Sequence, residues 1–197
     1  MRIFIIYHCW TTRPIFLLIY RLVWSLMTVE PLSKHNEGKR FTSADFSRKS
    51  LDDHSFSNCT FHRCNFSKSL FRNAAVTSCS FVGCNLSLVI LDGCHMQDIH
   101  FLDCKIVGVE FFKCCRVFFS VTFKNCLLQY CNFSELNMKS TSFSGSKIKE
   151  CYFTNTCLNN ANFNGTELTG TSFHNCDLCR ADFSSATQYS VDPRTNK

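Results

Sequence analysis

The sequence predicts an all-β solenoid, a chain of short extended segments that closes one coil every twenty residues. Three observations predict it. A large apolar residue recurs at every fifth place over about three quarters of the chain. A small residue usually stands two places before it. And in one register every fourth large residue is phenylalanine.

The pattern is clearest from Cys151 to Phe183. The large residues there are Phe153, Leu158, Phe163, Leu168, Phe173, Leu178 and Phe183, and the small ones are Cys151, Thr156, Ala161, Thr166, Thr171, Cys176 and Ala181. An amphipathic helix repeats its apolar residues at three and four, and a half-buried strand repeats them at two. A spacing of five would spread the side chains around a helix axis. A chain that turns one corner per unit instead points each fifth side chain at a common axis, and each coil buries its apolar residues against its neighbours.

Traced backwards, the large places are Ile148, Phe143, Met138, Phe133, Leu128, Phe123 and Phe118. The register then slips by two residues and continues as Phe111, Ile106, Phe101, Met96, Leu91, Leu86, Phe81, Val76, Phe71, Phe66, Phe61, Phe56, Leu51, Phe46 and Phe41. Across the slip, every fourth unit gives the column Phe41, Phe61, Phe81, Phe101, Phe123, Phe143, Phe163 and Phe183. All its members are phenylalanine, although Phe is only 21 of the 197 residues. Three or five units per coil would scatter this column, so four units close a coil. The slip is a bulge inside one coil, over 112–117. Adjacent coils are expected about 4.8 Å apart, so seven make a rod roughly 34 Å long.

These units resemble the pentapeptide-repeat family, whose motif is a small residue, Asp or Asn, Leu or Phe, and two polar residues. The best copies are Ala44-Asp45-Phe46-Ser47-Arg48, Ala161-Asn162-Phe163-Asn164-Gly165 and Ala181-Asp182-Phe183-Ser184-Ser185. The resemblance implies a right-handed quadrilateral β-helix of about seven coils with four units each. It also implies a partner class. Proteins of this fold and size include some that bind DNA gyrase or topoisomerase IV, resemble duplex DNA in width and charge, and confer quinolone tolerance or toxin immunity. In such relatives longer loops at a corner contact the topoisomerase. The slip residues Lys113, Cys114, Cys115 and Arg116 are a small version of such a loop, against the simpler reading of a tolerated bulge.

The charge argues against close mimicry of DNA. Residues 1–40 carry six Lys or Arg and two acids, residues 41–186 carry thirteen and twelve, and the last eleven carry two and one. The repeat region is therefore nearly neutral and cannot reproduce a polyanion's field. No basic stripe with interleaved aromatics stands out, so direct nucleic-acid binding is not expected.

Of the fifteen cysteines, ten hold the small inward place: Cys59, Cys64, Cys79, Cys84, Cys94, Cys104, Cys126, Cys131, Cys151 and Cys176. A free cysteine behaves as a small buried hydrophobe. Such core use points to reduced thiols and a cytoplasmic setting. No enzyme is expected: the chain has no nucleophile elbow, phosphate loop or metal-binding helix motif. No cofactor or metal is expected either. Cys176 and Cys179 have the spacing of a redox or zinc pair, but no second pair exists. Cys114 and Cys115, beside Lys113 and Arg116, form the one candidate for an activated thiol. Asn65-Phe66-Ser67 and Asn132-Phe133-Ser134 mimic glycosylation sites only because the repeat places Asn before and Ser after the large residue.

The ends stand apart. Residues 1–27 are apolar but broken by His8, Thr11-Thr12-Arg13-Pro14 and Arg21. Three readings compete: a cap on the first coil, translated sequence upstream of a start at Met27, and a membrane-associating segment, with a membrane-associated or host-directed scaffold as its functional consequence. Residues 28–40 read as a polar linker, with Pro31 and Gly38. Residues 187–197 resemble the exit segment of some relatives and read as a truncated cap, with a homodimer through the exposed solenoid end as one outcome. The function expected from the sequence is thus a non-catalytic interaction scaffold whose partner the sequence does not name.

Overall fold

The computed structural model describes residues 32–197. The three readings of residues 1–27 lie outside the described residues. Strands of three or four residues follow one another with almost no helix; the exception is one turn of 3-10 helix at Phe111–Lys113.

Every ladder is parallel and joins residues one coil apart. His35–Glu37 pairs with Ser55–Ser57, which pairs with Ala75–Thr77, which pairs with His95–Gln97. Arg40–Thr42, Thr60–His62, Ser80–Val82 and Ile99–Leu102 form a second sheet that ends on Val121–Lys124. Lys105–Val107, Leu127–Gln129 and Lys147–Lys149 form a third. Single bridges such as Ser50 to Leu70 to Ile90 and Glu110 to Asn132 to Tyr152 define the fourth side. The coil therefore has four walls. Wall 1 carries Phe41, wall 2 Phe46, wall 3 Leu51 and wall 4 Phe56, and coils are counted from the phenylalanine of wall 1. The ladder opens at His35–Glu37, inside the segment that reads as a linker; Asn36 takes the inward place there and is buried.

The wall 1 phenylalanines form a single pile. Successive rings from Phe41 to Phe183 are stacked with centroids 4.7–5.3 Å apart. All but Phe183 are buried, and Tyr189 stacks on Phe183 at 5.3 Å. A second pile, Phe111, Phe133, Phe153 and Phe173, rises on wall 3 at 4.8–5.1 Å. It meets the first edge to face. Such offset and T-shaped pairs each add about 0.5–1.5 kcal/mol beyond area burial.

The small inward places do more than fill space. Eight of the ten thiols there point at a carbonyl of the coil before: Cys64 donates to the Phe41 oxygen at 3.4 Å, Cys84 to Phe61 at 3.3 Å and Cys104 to Phe81 at 3.3 Å, while Cys94 and Cys151 bond only locally. Later coils make the same bond with hydroxyls, Thr156 to Phe133 at 3.1 Å and Thr171 to Ile148 at 3.0 Å. All the described cysteines are free thiols, and the ten assigned to the core are buried. Burial pushes the Cys79 and Cys94 thiols up to about 12.

The corners explain the polar half of the motif. The second residue after each large one almost always has positive φ, from Ser43 through to Ser185. Only Gly adopts that region freely, and Asn and Asp tolerate it best among the rest. All seven glycines of the chain sit on such corners: 38, 83, 93 and 108 before the slip, 145, 165 and 170 after it. The Asp or Asn before the large residue accepts a hydrogen bond from the amide two residues on, as in Asp45 with Ser47 at 2.9 Å and Asn162 with Asn164 at 2.8 Å. These Asx turns hold the corner.

A candidate protein-docking corner at the register slip

The one irregular coil is the fourth, and the sequence pattern misplaces its irregularity. Phe118, read as an inward residue, points out: it is 76% exposed, with φ of 60°. Phe119 turns in instead, its ring 6.4 Å from Phe111. The small place falls not on Arg116 but on Cys114, which is buried one coil above Cys94. The ladder fixes this, because the Cys115 amide still bonds the Cys94 carbonyl at 2.9 Å and the next in-step contact, now in the later register, is the Ile99 amide to the Ser120 carbonyl at 3.1 Å. The earlier register thus runs on to Cys115, and the extra residues are taken up between Cys115 and Phe119.

Of the four slip residues singled out from sequence, Cys114 is enclosed and burial pushes its thiol up, so it is not the activated thiol the basic neighbours suggested. Lys113 bonds Glu110 at 2.6 Å, which holds its ammonium above the ordinary value, and lies 3.8 Å from Asp92. Arg116 pairs with Glu135. Cys115 is half-buried. The side chains that stand free are Val117, 62% exposed, and Phe118.

A groove lies on the corner between walls 2 and 3, where Gly108 leaves a gap. A β-carbon there would come within 2.8 Å of Leu88. The groove holds about 270 Å³ and is lined by Leu88, Ile90, Asp92, Gly108, Glu110 and Lys113 among others. Asp92 Oδ1 finds no hydrogen-bond donor there. Leu88 is half exposed on this corner, and the exposed Tyr130 and Tyr152 follow on the next coils. Among the described residues, five of the six exposed large apolar residues thus fall between 88 and 152, around the slip. Exposed apolar groups gathered in this way mark interaction surfaces.

The remaining candidates separate. Cys176 lies inside the coil and Cys179 outside, so the pair does not converge. Among the described residues no three His, Cys, Asp or Glu come together around a common point, and no helix is long and apolar enough to cross a membrane. The groove and the Val117–Phe118 knob were missed from sequence. Only the register continued from Phe111 puts Val117 and Phe118 at polar places; the register counted back from Phe123 makes Phe118 an inward residue.

Comparison with known proteins supports the repeat directly. A family model described as a pentapeptide repeat region matches residues 54–115, and one described as pentapeptide repeats (8 copies) matches 118–155 and 146–184. The chain belongs to the pentapeptide-repeat family. The two matches stop and restart at the slip. No curated protein matches the chain. Solved structures similar to this member of the family include QnrB1, a plasmid-mediated fluoroquinolone resistance protein, at 21% identity over 87% of this chain and 83% of that one, with a TM-score of 0.36. HetL, a pentapeptide repeat protein involved in heterocyst differentiation regulation in Nostoc sp. strain PCC 7120, is 13% identical over 86% and 91% of the two chains, with a TM-score of 0.29. A pentapeptide repeat protein of the Arabidopsis thaliana thylakoid lumen is 14% identical over 80% and 77%, with a TM-score of 0.30.

Proposed function

We propose that this chain is a non-catalytic scaffold that binds a protein partner at the irregular fourth coil. The observation that carries the reading is the outward turn of Phe118. A phenylalanine in left-handed conformation costs about 1–2 kcal/mol, and here it also leaves a large apolar ring in water. The left-handed backbone is shared by most corners of this fold, so the exposed ring rather than the strain sets Phe118 apart. With Val117 beside it and the Leu88–Gly108 groove between the third and fourth coils on another corner, this part of the solenoid offers an apolar anchor, a recess and a rim of ion pairs. That is the composition of an interface centre with a polar edge.

A photo-crosslinking amino acid placed at Val117 or Tyr130 of the full chain, and at Ser144 as a control, tests this in cells. Discrete adducts at the first two sites and none at Ser144 are expected. Adducts spread evenly over all three, or absent from 117 and 130, would sink the reading.

A narrower reading takes DNA gyrase or topoisomerase IV as the partner, with quinolone tolerance or toxin immunity as the outcome. Its support is the size of the solenoid and the position of the bulge at a corner; the near-neutral repeat region weakens it. A supercoiling assay with a quinolone separates the two: protection at stoichiometric protein supports the narrower reading, and none in excess removes it.

A further inference from the structure

Among the described residues, two histidines set a ring nitrogen against a hydroxyl of the next coil. His35 Nδ1 lies 2.9 Å from Ser55 Oγ, and His100 Nδ1 lies 2.8 Å from Thr122 Oγ1. Of the two, only His100 also meets a carboxylate: its Nε2 is 3.2 Å from Asp98 Oδ1. The register slip makes this meeting. Before the slip, Ser80 and His100 are ladder partners twenty residues apart; across it, His100 and Thr122 are partners twenty-two apart. Ser120, which the unbroken count would set opposite His100, instead accepts the Asp98 amide on its hydroxyl at 2.7 Å.

The Asp98 carboxylate accepts the Nε2 proton of His100. That fixes the tautomer and leaves the Nδ1 lone pair to accept the Thr122 hydroxyl proton. A hydroxyl held against a base that a third group orients is the arrangement that activates an oxygen nucleophile. His100 and Thr122 sit on paired strands, and the bond to Ser120 ties down Asp98, so the backbone holds all three in place. They line a cavity of about 150 Å³ together with Asn137, Lys139 and Ser140. A cavity of that size takes a benzene-sized guest. His100 and Asp98 are half exposed, so a reagent in solution can reach them.

The surroundings select the group transferred. A phosphoryl donor needs cations or a metal around its oxygens. Lys139 is the one Lys or Arg lining the cavity, and the Asp98 carboxylate opposes it. A carbonyl carbon asks only for one donor facing the oxyanion as it forms. Lys139 forms no ion pair with any described residue and can supply that donor. A thiolate leaves readily, because thiols ionise near pH 8.5.

We propose that Thr122 is a modification site, a hydroxyl that takes an acyl group from a thioester. His100 Nδ1 accepts the Thr122 proton as Oγ1 bonds to the carbonyl carbon. The carbon–sulfur bond then breaks, and the leaving thiolate takes the proton from His100. The products are an ester on Thr122 and a free thiol. Asp98 is a positioning residue that acts through His100. The chain is the acceptor, so the step modifies the scaffold and does not make it an enzyme.

The test incubates the full chain with phenyl thioacetate and reads acetyl groups residue by residue by peptide mass spectrometry. Thr122 should be acetylated well ahead of Ser55, whose histidine has no carboxylate partner, and of Thr60, whose ladder partners are Arg40 and Ser80. This comparison needs no variant. His100→Gln should slow acetylation of Thr122 by about a hundredfold. Asp98→Asn should bring Thr122 down to the rate of Ser55, and Asp98→Glu, which keeps the carboxylate, should recover most of the loss. Circular dichroism checks that the variants keep the fold. Equal acetylation of Thr122, Ser55 and Thr60 would overturn the proposal. So would acetylation of Thr122 that survives His100→Gln, or equal rates in the parent and Asp98→Asn. None of these outcomes bears on crosslinking at Val117, so the two readings fail separately.

Discussion

The later coils and the middle coils share one backbone and differ in what fills it. From Phe123 to Phe183 the wall 1 and wall 3 piles interlock, with Phe143 stacked on Phe123 and Phe163 and set edge-on to Phe133 and Phe153. In coils three and four the rings give way to Leu86, Val89, Leu91, Met96, Ile106 and Val109. These surround, with Phe101 and Phe111, an apolar cavity of about 10 Å³, too small and too apolar to hold a water. The inter-coil hydrogen bonds run through both regions alike. The ladder and corners therefore set the path of the chain, while the side chains set how tightly it is held. The register slip, the knob and the groove all lie on or beside the aliphatic stretch.

The largest expected effect tests that contrast. Phe143→Ala removes a ring with four aromatic neighbours and should destabilise by about 4–5 kcal/mol, against about 2–3 kcal/mol for Leu91→Ala. Denaturant unfolding reads both; equal losses would mean that the interlocked rings add nothing beyond their volume.

The pH dependence should report the buried thiols that both regions share. The Cys79 and Cys94 thiols are raised to about 12, and Cys114 is raised too, while an unfolded thiol titrates near 9. Between those values the unfolded chain loses protons that the folded chain retains, so stability falls as pH rises from about 9 to 12 and is unaffected by these thiols below that. Burial raises Cys176 as well, and Cys151 is raised beside Cys131, so the alkaline loss is spread along the solenoid. Denaturant unfolding at about pH 8 and about pH 11 reads it, and equal stability at both would count against the buried thiols as its source.

A smaller effect tests whether thiol and hydroxyl do the same work at the inward place. Thr171→Ala leaves the Ile148 carbonyl without its donor and should cost about 1 kcal/mol, whereas Thr171→Cys should be close to neutral. Thermal unfolding of the two variants decides it.

The smallest effect has the opposite sign. Phe118→Asn places a residue that tolerates positive φ on the strained corner and should stabilise by about 0.5–1 kcal/mol. The same change should abolish crosslinking from Val117. A variant that gains stability and keeps its partner would detach Phe118 from binding.

Much of this was legible in the residues. The Phe41 to Phe183 column gave the coil length and the pile, because only a chain that closes after four units keeps eight identical rings in line. The inward cysteines were legible for the same reason. The corner conformation was also written in the chain, in glycines that share the phase of the repeat and shift by two with it, although composition alone reads them as ordinary turn residues. The slip was not legible in detail. Phe118 and Phe119 are equally apolar, so counting back from Phe123 selects Phe118; only the bond from Cys115 to Cys94 shows that the earlier phase persists and leaves Phe119 to turn inward. The groove escaped because it depends on Leu88, Gly108 and Lys113, which are far apart in sequence and adjacent only once the coils stack.

The single pile of rings gives the molecule a built-in scale. Moving a surface feature by twenty residues displaces it by one ring without turning it to another wall. Two features on one wall are therefore a whole number of steps apart, and inserting or deleting one complete coil between them would change that distance by a single strand spacing while leaving both facing as they do now.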